Sequence, residues 1–160
     1  DAKQIIKSKT KGKKKIIFIG SSMGSWIALN LFEFFKKRLV GFIGIASAPE
    51  FLDRLMWRKF SKKIKKIIMS KNIYKLEHGG FIYPLTKQLI LDGKKNKIFN
   101  KKINLSVPII LFHGTKDKVV PIIFSKKILR IIKKSKAKLI KIKVITVYLG
   151  KAICQKFAKN

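Results

Sequence analysis

Cysteine is nearly missing from this sequence: Cys154 is the only one in 160 residues, which excludes an internal disulfide framework and fits a reducing compartment. Acidic residues are scarce too, 7 Asp plus Glu against 39 Lys plus Arg, for a formal net charge of +32. Such a deficit directs attention to nucleic acid or anionic membranes. Yet arginine, the side chain best suited to bidentate phosphate and base contacts, occurs only as Arg38, Arg54, Arg58 and Arg130. The excess is lysine, accompanied by isoleucine and phenylalanine with little alanine, a composition that A- and T-rich codons produce without any partner. Non-specific adhesion to polyanions at low salt is expected, and specific nucleic-acid binding is not. Long hydrophobic runs are absent as well. No stretch approaches the ~20 apolar residues that span a bilayer, and the N-terminus has no apolar signal segment, so the expectation is a cytoplasmic protein without a transmembrane segment. Histidine occurs only as His78 and His113. With one cysteine and the aspartates Asp1, Asp53, Asp92 and Asp117, no zinc-type ligand spacing arises, and neither metal nor cofactor is expected.

What is present centres on Lys13 to Phe35, KKKIIFIGSSMGSWIALNLFEFF. The run Ile16 to Ile19 reads as a buried strand, and Gly20-Ser21-Ser22-Met23-Gly24 turns from it directly into a helical pattern. A G-x-S-x-G sequence on a strand-to-helix corner is where a nucleophile stands at a strained backbone position, with glycines letting strand and helix pass closely. Ser22 is therefore the candidate nucleophile, and the backbone N–H of Met23 a candidate oxyanion donor. The plainer alternative is a glycine-serine turn in which Ser21 or Ser22 caps the helix. A phosphate cradle fits poorly, because neither the P-loop ending nor dinucleotide glycine spacing is present.

Along the chain, Asp1 to Thr10 fits the last turns of an amphipathic helix. Helix Gly24 to Lys36 and strand Leu39 to Ile45 follow the corner, and strand, helix, strand with short connections indicates a parallel sheet. Glu50 to Lys59 reads as a short helix, and Ser61 opens a second with Ile64, Ile67 and Ile68 on one face and lysines on the other. A strand or turn is expected at Phe81 to Tyr83, then a helix opened by Pro84 and running to Leu91. Val107 to Phe112 is a strand, Pro121 opens helix Ile122 to Lys133, and Leu139 to Leu149 is strand-like. Internal repeats are absent.

Ile17 to Leu29 resembles the nucleophile elbow of the α/β-hydrolase superfamily. The stretches GFIGIASAPEFLDRLMW (Gly41 to Trp57), YPLTKQLILDG (Tyr83 to Gly93) and VPIILFHGTKDKVVP (Val107 to Pro121) are similar to bacterial members related to palmitoyl-protein thioesterases and short-chain esterases. The resemblance implies a three-layer sandwich with a parallel sheet, helices on both faces and a helical cover insert at about 50–104 within a single domain over 1–160. It also implies hydrolysis of a small-molecule acyl ester or thioester. In that family several strands precede the elbow, whereas here only Asp1 to Lys15 do. The expectation is thus a partial α/β-hydrolase fold, its bare sheet edge prone to edge-to-edge self-association.

A serine hydroxyl needs a base, and the base an orienting acid. Asp117 matches the family acid in His113-Gly114-Thr115-Lys116-Asp117-Lys118-Val119-Val120-Pro121. The base is unknown. His113 stands where the family uses a bracing histidine, and His78 lies in the cover region. The family's histidine follows the last strand, but no histidine lies downstream of His113. Codons permitted for Val144 to Phe157, read in a shifted frame, can spell Gly-Asp-His and the sequel of such a loop. These observations lead to the expectation of a chain truncated at its start, frame-shifted after about 143 and inactive as a hydrolase for want of its histidine. The alternative is a non-enzymatic basic protein that binds polyanions.

Overall fold

The computed structural model describes residues 1–10, 12, 14–78 and 81–143. In chain order the elements are α1 (Ala2–Lys9), β1 (Ile16–Ser21), α2 (Met23–Phe35), β2 (Leu39–Ile45), α3 (Lys62–Lys71), β3 (Ile73–His78) and β4 (Phe81–Thr86). There follow α4 (Lys87–Lys95), β5 (Ile103–Asn104), β6 (Ile109–Gly114), α5 (Ile123–Ile131), β7 (Ile132–Lys133) and β8 (Ala137–Ile142). They form two compact units, one built from Asp1–Pro49 and the chain from Ile98 onward, the other from Glu50–Lys97.

The first unit holds a four-stranded parallel sheet in the order β1-β2-β6-β8. Phe18 lies opposite Phe42, Gly44 opposite Leu111, and Leu111 opposite Leu139. Helix α2 packs on β1 and β2 and brings Phe32 and Phe35 onto the sheet face that carries Phe18 and Phe42. The Phe18–Phe35 and Phe32–Phe42 ring pairs are edge-on with centroids 5.6 Å and 5.0 Å apart, the geometry that aligns ring edges with ring faces. Helix α5 buries Phe124, Ser125 and Ile128. The apolar stripe of α2 thus does what its spacing predicts. Strand β1 does not. Read as fully buried, it buries only Ile16, Phe18 and Gly20, while Ile17 and Ile19 are 58% and 69% exposed. A run that is apolar at every position does not say which of its two faces the fold will cover.

The second unit departs further from expectation. In place of a short helix over Glu50 to Lys59, the chain makes a wide π turn at Leu52–Met56 and a 3₁₀ turn at Trp57–Lys59. Arg54 Nε lies 2.8 Å from the buried carboxylate of Glu50, and Arg58 and Lys97 each lie 3.4 Å from Asp53 Oδ2. Helix α3 begins as Ser61 predicts, its hydroxyl accepting from Ile64 N–H at 3.3 Å, and Asn72 ends it in the left-handed region at φ 62°. Pro84 opens no helix. It sits in β4 opposite Lys75, in a two-stranded antiparallel hairpin where the absent N–H is tolerated, and Thr86 caps α4 by accepting from Leu89 N–H at 3.0 Å. The stretch expected as a helical insert therefore contains a hairpin.

Candidate active site

Ser22 stands between the last residue of β1 and the first of α2, with φ 48° and ψ −114°. An L-residue is disfavoured there, and such strain persists only where the surroundings over-determine it. Ser22 occupies the N-cap position of α2, yet its hydroxyl makes no capping hydrogen bond, so the capping alternative is not realised. Its side chain lies exposed at the carboxyl end of the sheet. The glycines have unequal reasons. A Cβ on Gly20 would stand 2.6 Å from Ser25 N and 2.7 Å from Gly24 C, so backbone crosses backbone there with no room for a side chain. A Cβ on Gly24 would meet open space. The close approach therefore depends on Gly20 rather than on both residues.

The second half of the site lies at the end of β6. The Asp117 side chain is 3% exposed, and its Oδ1 accepts from Val119 N–H at 2.9 Å and Val120 N–H at 2.8 Å, which pins the loop around the carboxylate. His113 is fully buried. Its Nε2 lies 2.8 Å from Val120 O and 3.9 Å from Asp117 Oδ2. A carbonyl oxygen only accepts, so Nε2 carries the proton and Nδ1 keeps its lone pair. That lone pair faces Ser125 Oγ at 2.8 Å, and Ser125, in the first turn of α5, is also fully buried. Serine, imidazole and carboxylate thus lie together, with the Ser125 hydroxyl bonded to Nδ1 and the Asp117 carboxylate beside Nε2 but beyond hydrogen-bond distance.

This constellation corrects the expectation of a chain lacking its histidine. His113 is present between a serine and an aspartate, so the inference of inactivity has lost its premise, and with it the reading as a fragment inactive for want of a histidine or as a non-enzymatic basic protein. The resemblance places the histidine after the last strand, whereas the fold supplies an imidazole from the end of β6. The residues after about 143, where a shifted frame was inferred, lie outside the described residues. Sequence reading does not single out Ser125. Its one signal is that it lies next to Phe124 and three residues before Ile128, on the buried stripe of α5, where a polar residue requires a partner. His78 ends β3 in the second unit, opposite Phe81.

Among the described residues no group of three or more His, Cys, Asp or Glu side chains comes together in a way that could hold a metal, and no helix is long and apolar enough to cross a membrane.

No protein-family model matches the chain. It is 27% identical over 110 residues to the mitochondrial palmitoyl-protein thioesterase ABHD10 of Homo sapiens, a match covering 66% of this chain and 35% of the human protein. The Bos taurus counterpart is 26% identical over 110 residues, with the same coverage. The chain thus spans about a third of the length of the curated relatives it matches, 35% for the human protein. Among solved structures, "Putative hydrolase from Agrobacterium vitis S4" superposes with a TM-score of 0.79 at 24% identity, over 89% of this chain and 57% of that one. The alpha/beta hydrolase domain-containing protein 10 from mouse does so with a TM-score of 0.75 at 20% identity, over 99% and 67%. Agreement over 89% of this chain corrects the expectation of a merely partial fold, since these residues superpose on the hydrolase structure with a TM-score of 0.79. The chain adopts the α/β-hydrolase fold.

Proposed function

We propose that this chain is a serine hydrolase acting on a small-molecule acyl ester or thioester, with Ser22 as its nucleophile. The observation that carries the reading is the strained, exposed Ser22 backbone, at φ 48° and ψ −114°, with a hydroxyl not spent on capping. Ser22 Oγ attacks the acyl carbon and its proton passes to a general base, which returns it to the leaving group. The leaving alcohol or thiol departs with a proton, and water then releases the acid from the acyl-enzyme. Met23 begins α2, and the first N–H groups of a helix have no intrahelical acceptor, so the Met23 N–H serves as an oxyanion donor. Asp117 is the orienting acid, and His113 is the imidazole that neighbours it.

The contact between His113 and Ser125 favours a second reading, in which Ser125 is the nucleophile. One experiment separates the two: fluorophosphonate labelling of the purified chain with peptide mapping. The expected result is labelling at Ser22 that Ser22→Ala abolishes and Ser125→Ala retains. Labelling unchanged by Ser22→Ala and lost in Ser125→Ala would move the nucleophile to the buried site.

We take the chain as one domain over 1–160 with an insert at about 50–104, supported by the compact unit Glu50–Lys97. The single Cys154 supports placement in the cytoplasm. Edge-to-edge self-association is supported by Ile17 and Ile19 on an edge strand, and sedimentation at rising concentration reads it. Specific nucleic-acid recognition is not part of the proposal. Arg54 is engaged by Glu50 and Arg58 by Asp53, and Arg38 donates to the carbonyls of Thr10 and Lys14.

A further inference from the structure

The strain at Ser22 requires something to hold it, and the exit of β2 has the right contacts. We infer that Ile45–Ala48 is a positioning clamp, which locks the Ser22 backbone in its attacking conformation and sets it relative to the strand that carries His113. This rests on Ser22 as nucleophile. Ser22 N–H donates to Ile45 O at 2.9 Å, and Ser22 O accepts from Ala48 N–H at 3.2 Å. Both backbone polar groups of an exposed corner residue are therefore bonded to one short segment, which leaves little freedom for φ and ψ to relax.

The segment is itself immobilised. Ala46 N–H donates to Phe112 O at 2.9 Å, and Phe112 directly precedes His113 on β6. Hydrogen bonds thus run from Ser22 through the β2 exit to the strand that leads into the His113–Asp117 loop. Ala46 holds φ 44°, and Ala46, Ser47 and Ala48 are 1%, 0% and 0% exposed. Gly44 makes the space: a Cβ there would run into Ser47 Oγ and would stand 2.7 Å from Leu111 Cδ2, so the segment folds back over a position that no side chain can occupy. Among the described residues the Ser47 hydroxyl is buried without a hydrogen-bond partner. Among the described residues the segment is therefore held through its backbone bonds rather than through this side chain.

The clamp makes a specific energetic coupling. If the segment enforces the strain, replacing Ser22 by glycine relieves it, and the relief disappears once the clamp is cut. Ala48→Pro removes the N–H that holds Ser22 O. The test uses the whole chain. Ser22→Gly should raise Tm by ~3 °C in the unmodified background, and by less than ~1 °C in the Ala48→Pro background. Ala48→Pro should also slow fluorophosphonate labelling at Ser22 by at least ~10-fold while cooperative unfolding persists. Equal Tm gains in both backgrounds would overturn the clamp. The Tm comparison needs no activity, so it stands apart from the nucleophile assignment, which fails separately if Ser22→Ala leaves labelling unchanged. Should Ala48→Pro not fold, amide hydrogen exchange of the unmodified chain decides. Exchange slowed by at least ~100-fold at both Ser22 and Ala48 is the expected result, and exchange at the rate of an open loop at Ala48 overturns the proposal.

Discussion

Two serines stand at strand-to-helix passages of the same sheet, and they divide the requirements of a nucleophile between them. Ser22, at the corner from β1 to α2, is exposed and strained at φ 48°, with its hydroxyl unspent on the helix end. Ser125, beyond the loop from β6 to α5, is fully buried and lies 2.8 Å from an imidazole lone pair. One has access, the other has a base. The difference teaches that activation and accessibility are separable properties of a site. A serine–imidazole contact inside a core contributes to packing and polar satisfaction as readily as to chemistry, whereas backbone strain at an exposed residue has no such role to fill.

Variants that break this comparison are ordered by expected size. The largest effect belongs to Gly20→Ala, which forces a Cβ against the backbone of Ser25 and Gly24 and should cost about 3 kcal/mol in urea unfolding. It should also disable the Ser22 corner while leaving the Ser125 contact in place. Next comes Ser125→Ala. Removing the hydroxyl strands the buried His113 Nδ1, and the expected loss is about 2 kcal/mol, read from the same urea midpoint. Gly24→Ala has the opposite sign. Its Cβ meets nothing, the residue lies in the first turn of α2, and alanine should add about 0.5–1 kcal/mol by reducing the freedom of the unfolded chain. The smallest change is expected for Ser22→Ala, within about 0.5 kcal/mol of the unmodified chain, because an exposed hydroxyl without a capping bond supports no structure. The contrast between the two serine-to-alanine variants is the sharpest form of the comparison. A near-neutral Ser125→Ala would mean that the imidazole finds another donor.

The two glycines of the corner carry a similar lesson. Sequence reading treats both as room for a crossing of strand and helix, and the structure assigns that room to Gly20. The same limit appears in β1, where Ile17 and Ile19 look as buried as Ile16 and Phe18 until a neighbouring layer covers one face and not the other. It appears again at Pro84, whose fixed φ suits a helix start and an edge strand equally well.

What the sequence alone determined is the local chemistry. The strand-corner-helix order around Ser22, the apolar stripe of α2, the Ser61 cap and the placement of Asp117 just beyond a strand are all written within a few residues of one another, and backbone geometry over such a span responds to glycine, capping and period. What only the tertiary structure decided is which of these groups meet. His113 finds Ser125 across twelve residues and Ser22 is held by Ile45 and Ala48. Glu50, nearly fully buried, closes on Arg54 around a turn that periodicity reads as an ordinary helix. Such contacts depend on how sheet, helix and loop converge in space. No spacing along the chain encodes that, because one residue pattern is compatible with several partners until packing leaves room for one.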